Sequence, residues 1–409
     1  MNIPKLRFKD NNGNDYPQWE KKKLGDIGNI ISGGTPSSSN KEYWNGHINW
    51  FTPSEVGKTK FVSESIRKIT EKGLKNSSAK LLPKGTILLS SRATIGEKSI
   101  LLNSATTNQG FQSIITNNEA INEFIYYYID TLKSELIKQS SGSTFLEISN
   151  TILKKLKIYI PNLQEQEKIA NFLSTVDKKI ENLANTITSL ENQKKGLLQQ
   201  IFSQKLRFKD ENGNNYPDWE KKKLGDITQS QGGTALEKYT TTNGLYKFIS
   251  IGNYSTYSTY LDNGIRIDLN NKTKKQLLNK NDLVMILNDK TSSGNIIGRT
   301  LLIDKDNTYI YNQRSQRLIC NTKIIIPSFL YFLLNSDFRK NIIKKVQGAT
   351  QIYINYSTIE VMHLNIPCLE EQTKIADFLS AFDRKLENQK TQLEHWQQIK
   401  KGLLQQMFV

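Results

Sequence analysis

Across 409 residues the chain holds two cysteines, three histidines and nine prolines. Cys320 and Cys368 make no Cys-x-x-Cys pair and no disulfide framework, which predicts a reducing, cytoplasmic setting. His47, His363 and His395 lie far apart, and with two isolated cysteines they offer no metal-ligand spacing, so no metal site is expected. No apolar run reaches about eighteen residues and the N-terminus is polar, so a soluble, unexported protein with no membrane partner is expected. No two prolines are adjacent, which excludes an Asn- or Asp-Pro-Pro-aromatic loop of the kind that holds a flipped base for amino methylation. No glycine-rich cofactor motif follows a strand. The stretch PSEVGKT at 53–59 ends like a P-loop, but Thr52 stands where the first glycine is needed. No catalytic residue is nominated, and no cofactor is expected on this chain.

Positive charge is what the sequence has in surplus. Lys and Arg number 56 against 39 Asp and Glu, a net charge of +17. Such an excess suits a polyanionic partner, nucleic acid first, although basic proteins without that role exist.

The chain is organised around a heptad seam. Leu173, Ile180, Ile187 and Ile201 share one position, and Val176, Leu183, Leu190 and Leu197 the other; Lys194 interrupts the first set. A 3-4 spacing sustained over four heptads predicts a helix that packs against another long helix. It should start near Gln164, just after Pro161, and run to Phe202. PNLQEQEKIANFLSTVD at 161–177 returns as PCLEEQTKIADFLSAFD at 367–383, and GLLQQIF at 196–202 returns as GLLQQMF at 402–408, both at an offset of 206. The second seam is Leu379, Phe382, Leu386, Gln389, Leu393, Trp396, Lys400, Leu403 and Met407, with Lys400 on the counterpart of Lys194. The two rods are expected to pack on each other; separate cores or an intermolecular coil are the other arrangements. Each variable region precedes its own rod, so an antiparallel pair, with the two regions at opposite ends, is expected.

A second repeat flanks the rods. KLRFKDNNGNDYPQWEKKKLGDI at 5–27 recurs at 205–227 with 20 of 23 positions identical. Leu6, Phe8, Tyr16 and Trp19 are costly to leave in water. Residues 1–21 are therefore expected to dock on the distal rod, as though the chain were a circle cut between Val409 and Met1. The organisation reads as a docking segment 1–21, a mixed α/β domain 22–161, a rod 162–204, a second mixed domain 205–366 and a second rod 367–409. The fold class is α/β, mixed, with two globular domains, an intramolecular coiled coil and a pseudo-twofold repeat. The frames match while the domain interiors do not, which suggests two different reading heads and two equivalent docking surfaces.

Polar turns recur inside the domains, and they carry the binding candidates. In the first these are Ser32, Gly33, Gly34 and Thr35; Ser90, Arg92 and Thr94; Asn108 and Gln109; and Ser143 and Thr144. In the second they are Gln231, Gly233 and Thr234; Asn288, Lys290 and Thr291; Asn312, Gln313 and Arg314; and Gln347 and Thr350. Glycine lets backbone approach a surface, hydroxyls and amides suit phosphate oxygens, Asn and Gln suit adenine edges, and Arg suits guanine. Arg92, Lys290 and Arg314 are the first choices for base contacts. Ordinary tight turns account for any one of these segments taken alone.

The two signatures, PNLQEQEKIANFLSTVD and PCLEEQTKIADFLSAFD, together with SGGTPS, EYWNGHINWFTPSEV, SSRATIG, NQGF and SGSTFLEIS, resemble the specificity subunits of bacterial type I restriction-modification systems. The resemblance spans nearly the whole chain and is weaker in the loops of the second domain. It implies two target recognition domains, each reading half of a split, asymmetric site on double-stranded DNA. It implies rods that act as a ruler and as the dock for two modification subunits. Those subunits would bring S-adenosylmethionine and methylate adenine; two restriction subunits would add ATP- and Mg²⁺-dependent translocation and cleavage. The other readings are a self-sufficient DNA methyltransferase or nuclease, against which the missing motifs count, and a coiled-coil scaffold whose charge is incidental.

Overall fold

The computed structural model describes residues 4–142 and 146–408. The chain divides into two units, Met1–Ala184 with Thr391–Val409, and Asn185–Lys390. Each contains one mixed α/β domain and part of each rod. The rods are single helices, Leu163–Phe202 of 40 residues and Leu369–Met407 of 39.

In the first unit the strand Glu20–Lys23 pairs antiparallel with Lys157–Ile160, Glu20 opposite Ile160, immediately before Pro161 and the rod. Pro161 cannot donate to a ladder, so the strand ends there and the chain is free to enter the helix. A five-stranded sheet follows in the order Gly28–Ser32, Gln112–Thr116, Ile87–Leu89, Lys98–Leu101, Phe61–Val62. Ile87, Leu88 and Leu89 are all buried, as a continuous apolar run with cover on both faces should be. A smaller sheet orders Arg67–Ile69, Trp44–Phe51 and Thr106–Thr107. The helix Asn122–Lys138 buries Phe124, Ile125, Tyr127, Tyr128, Ile129 and Leu136.

The second unit repeats the plan. Glu220–Lys223 pairs with His363–Ile366, Glu220 opposite Ile366. One four-stranded sheet runs Thr228–Gly232, Ser315–Cys320, Leu283–Ile286, Thr300–Leu302; another runs Thr240–Thr241, Arg266–Ile267, Tyr246–Ile249, Tyr309–Tyr311. The sequence pattern predicts a single helix over 328–346. Two form instead, Pro327–Leu334 and Phe338–Ile343. The cause is Asn335. Its amide donates to the Thr300 carbonyl at 2.9 Å and its carbonyl accepts the Thr300 N–H at 3.0 Å. A side chain that imitates a neighbouring strand competes with helical continuation at that residue.

The rods pack antiparallel within each unit, the sense that connectivity predicts. In the first, Ile169 and Leu173 share a core with Leu403, Leu404, Met407 and Phe408, while Asp177 pairs with Lys400 at 2.7 Å. In the second, Leu197 and Ile201 share a core with Ile375 and Leu379, while Lys194 pairs with Asp383. The lysines that break each seam therefore meet carboxylates on the facing helix. Leu173, Val176, Leu183, Ile187, Leu190, Leu379 and Leu386 are buried, and Ile180, Leu197, Phe382, Leu393, Trp396 and Leu403 are half-buried.

Each rod begins with a buried polar anchor. Glu165 is fully buried, accepts from Arg7 Nε at 3.0 Å and Nη2 at 2.6 Å, and accepts from the Trp19 indole at 3.2 Å. Arg7 also donates to the Pro17 carbonyl at 2.7 Å. Glu371 holds Arg207 at 3.1 and 2.7 Å and Trp219 at 3.1 Å. The Leu6 N–H donates to the Gln406 carbonyl in the first unit at 2.9 Å; Leu206 donates to Gln200 in the second at 3.1 Å. The Glu165 partner raises the already high pKa of Arg7, against the lowering effect of burial.

Removing one member of a buried pair strands the other. Glu165→Ala is expected to cost about 3 kcal/mol or more in denaturant unfolding. The Arg7→Ala, Glu165→Ala double variant should lose less than the sum of the singles. A sum within about 0.5 kcal/mol of additivity would show that the pair is not coupled.

Candidate nucleic-acid interface

The domains gather the sequence-separated turns into one cluster each. In the first unit the 32–35 turn lies on the 107–111 turn: Gly33 N–H donates to Phe111 O at 3.4 Å, Gly34 N–H to Thr107 O at 2.8 Å, and the Thr35 hydroxyl to Gln109 Oε1. The 107–111 turn meets the 90–94 turn through Ser91 N–H to Gly110 O at 2.8 Å. Residues 147 and 148, which follow the last turn, close on 90–94 through Ile148 N–H to Ser91 O at 3.1 Å and the Arg92–Glu147 ion pair at 2.7 Å. Ser143 and Thr144 lie outside the described residues.

The second unit assembles the same four segments. Gly233 N–H donates to Ser315 O at 3.2 Å, and Thr234 forms a bridge with Asn312. Leu287 N–H donates to Arg314 O at 2.9 Å, and Ile354 N–H to Leu287 O at 3.0 Å. Asn288 pairs with Tyr353, which itself bridges Gln347. Gln231 donates to the Lys275 carbonyl at 3.0 Å.

The glycines have a use inside the cluster. A Cβ on Gly33 would sit 1.9 Å from Asn108 O, and one on Gly233 would sit 1.9 Å from Asn312 O. Their missing side chains admit the neighbouring turn rather than an outside surface. The two asparagines are also engaged. Asn108 Oδ1 accepts Gly110 N–H at 2.9 Å, and Asn312 Oδ1 accepts Arg314 N–H at 3.1 Å. Asn312 Nδ2 donates to Glu237 at 2.9 Å, and the residue is 1% exposed. A two-point adenine contact needs both ends of a free amide, and Asn312 has neither end turned to solvent. Burial pushes the Glu237 carboxyl up, but hydrogen bonds from its own N–H, Asn312, Gln313 and the Leu236 N–H outweigh it and hold the group below the usual range. Ser90 is fully buried, sharing its hydroxyl with Thr94 and the Arg92 carbonyl.

What the turns present outward is a shorter set. Ser32, Thr35, Arg92, Thr94 and Gln109 are exposed in the first unit; Thr234, Lys290, Thr291, Gln313, Gln347 and Thr350 in the second, with Asn288 and Arg314 half-buried. Arg92 stands on Ala93, whose φ of +53° is uncommon for a residue with a Cβ. These groups are hydrogen-bond donors, acceptors and cations, the complement of phosphates and base edges. A base contact by Arg92 has to be shared with, or taken from, Glu147.

Among the described residues no group of three or more His, Cys, Asp or Glu is placed to hold a metal ion, and no helix is long and apolar enough to cross a membrane. Sequence reasoning missed Arg7, Glu165 and Asp177 with their counterparts. All stand in the repeated blocks, but their pairing joins residues more than 150 apart.

The family described as Type I restriction modification DNA specificity domain matches residues 16–192 and again 216–395. The type I restriction enzyme MjaIX specificity subunit of Methanocaldococcus jannaschii is 31% identical over 416 residues, covering 97% of this chain and 94% of its own. The EcoR124I/EcoR124II specificity subunit of Escherichia coli is 34% identical over 176 residues, covering 41% of this chain and 42% of its own. In fold, the chain is similar to a crystal structure of the type I restriction-modification system S subunit from M. genitalium, with a TM-score of 0.62, 18% identity and coverage of 100% and 99%. A chain from a structural study of type I complex assembly and conformational transition gives a TM-score of 0.60 at 14% identity, covering 95% and 97%.

The glycine contacts make a direct test. Gly33→Ala is expected to force the 32–35 and 107–111 turns apart and to destabilise the first unit by about 2 kcal/mol or more, measured by denaturant unfolding. Gly13→Ala, with open space around its Cβ but a φ of +85°, is the control for backbone strain alone.

Proposed function

The chain belongs to the type I restriction-modification DNA specificity family, and from that premise we propose that its two turn clusters each read one half of a bipartite, asymmetric site on double-stranded DNA. It is a non-catalytic specificity subunit with DNA-recognition domains. The domains are 22–161 and 205–366, and the exposed turn residues named above are their contact set. Rods 162–204 and 367–409 set the spacing of the half-sites and dock two modification subunits, with 1–21 completing the second dock. S-adenosylmethionine belongs to those subunits, and ATP and Mg²⁺ to two restriction subunits of the full complex.

One observation carries this reading. The same four turns, built from different residues, are gathered on two domains of one chain, while Arg7–Glu165 and Arg207–Glu371 repeat almost atom for atom. A duplicated frame with unlike faces suits two different readings made by one scaffold. A rod of 40 residues is roughly 60 Å long at ~1.5 Å per residue, the length of about 18 base pairs of DNA at ~3.4 Å each. A self-sufficient methyltransferase would need its own donor pocket, and its relatives are named specificity subunits.

Replacing 228–366 with the corresponding domain of another specificity subunit is expected to change one half of the methylated site and leave the other intact. A change in both halves would sink the modular reading. Arg314→Ala is expected to cost about 1–3 kcal/mol in binding and to relax one position, if it meets a guanine. Deleting one heptad from each rod should shorten the gap between half-sites, read by methylation mapping. An unchanged gap would remove the ruler.

A further inference from the structure

We propose that Asp289, Arg299 and Arg339 are positioning residues that hold 290–295 in shape as a base-reading loop of the second domain, an inference that rests on the DNA-reading role proposed above.

The two domains join equivalent strands by unequal means. In the first, eight residues separate Ile87–Leu89 from Lys98–Leu101. In the second, thirteen separate Leu283–Ile286 from Thr300–Leu302. The extra length is not slack. Asp289 is 5% exposed and accepts the Thr291 N–H at 3.0 Å, the Thr291 hydroxyl at 3.1 Å and the Ile296 N–H at 2.9 Å. Its carboxylate draws both feet of the loop together.

From the other side two guanidiniums take the loop's carbonyls. Arg299 Nε donates to Asn295 O at 2.9 Å, and its Nη1 donates to the Ser258 hydroxyl at 3.1 Å. Arg339 Nε donates to Ile297 O at 2.9 Å, and its Nη2 donates to Gly294 O. Gly294 has a φ of +64°, which lets the chain reverse there. Burial, with Arg299 close by, brings Arg339 down to about 10, so it stays charged at neutral pH.

With the carbonyls gripped from within, the side chains of Lys290, Thr291, Ser292, Ser293 and Asn295 all face solvent. Thr291 and Asn295 both bond the Ser293 hydroxyl, at 2.6 and 3.0 Å, so the tip is ordered as well. Half-burying two like charges is costly, and a plain turn would close the same strands without them. A reading loop benefits, because its contacts then cost little ordering on binding. The same loop adjoins the Arg314 turn through Leu287 and the last turn through Asn288.

The test uses the full chain assembled with its modification subunits, and short duplexes carrying every single-base change in both half-sites. The domain exchange described above first shows which half follows 228–366. Arg339→Gln and Asp289→Asn are expected to reduce discrimination at one or two positions of that half by about tenfold, with the other half unchanged. Lys290→Ala and Ser292→Ala leave the three anchors intact and are expected to relax the same positions at an unchanged melting temperature. A lower melting temperature in Arg339→Gln with discrimination intact in both halves would overturn the inference, as would tip variants that discriminate like the parent. Should Arg339→Gln fail to assemble, the tip variants decide. A domain exchange that moves neither half-site defeats the underlying DNA-reading role; one that moves a half-site while the tip variants discriminate normally defeats only this loop.

Discussion

A carboxylate out of reach of water cannot remain charged unless something replaces its hydration. Glu165 meets that demand with a two-point guanidinium and an indole N–H, all supplied by residues more than 140 positions earlier in the chain. The rod's first turn is thereby tied to the segment around Arg7 and Trp19. Trp19 in turn packs edge-on to Phe124 and Phe408, at 5.9 and 6.3 Å. One buried charge thus ties four parts of the first unit: the opening segment, the start of one rod, the end of the other and the domain helix. Glu371, Arg207, Trp219, Phe329 and Phe202 do the same in the second.

The residue after each glutamate completes the joint. Gln166 accepts the Ile121 N–H at 2.9 Å and donates to the Glu119 and Pro161 carbonyls, both at 2.9 Å. Gln372 repeats this with Ile326, Ile324 and Pro367. The backbone groups it satisfies sit where a strand has ended and a helix has not begun, so they have no ladder of their own. The Glu-Gln pair therefore works as a double joint, Glu to the opening segment and Gln to the base of the domain. Neither bond depends on what the domain's outer loops contain.

The helices, the two-part repeat and the seam were legible because each is a periodicity, and periodicity survives without coordinates. The partners of Lys194 and Lys400 were not. Asp383 and Asp177 sit beside the seam, and only an antiparallel register brings each opposite the other rod's lysine. The turns were legible as turns, yet their roles divided in the fold. Gly33 and Asn312 proved to serve the cluster's interior, while Gln109, Lys290 and Thr291 face solvent. Composition alone does not separate these, because a polar residue bonding its own backbone and one awaiting a ligand look alike in sequence. The break at Asn335 was hidden for the same reason: its competitor, the Thr300 backbone, is 35 residues away.

How the clusters are held together bears on how their outward faces can differ. Most of the bonds joining one turn to the next run from N–H to C=O: Gly34 to Thr107, Ser91 to Gly110, Ile148 to Ser91, Leu287 to Arg314, Ile354 to Leu287. Backbone bonds are indifferent to the side chains they carry, apart from the positions where a Cβ would collide. An exchange of Gln109 or Gln313 for another polar residue leaves that ladder untouched, whereas an exchange of Gly33 or Gly233 does not. A scaffold of this kind separates the residues that keep the cluster closed from the exposed residues whose exchange leaves it closed. Among the described residues, the first unit joins its turns with main-chain bonds, the Thr35–Gln109 side-chain bond and the Arg92–Glu147 ion pair. The second, with a longer loop to keep in shape, adds Asp289 and two arginines beneath it.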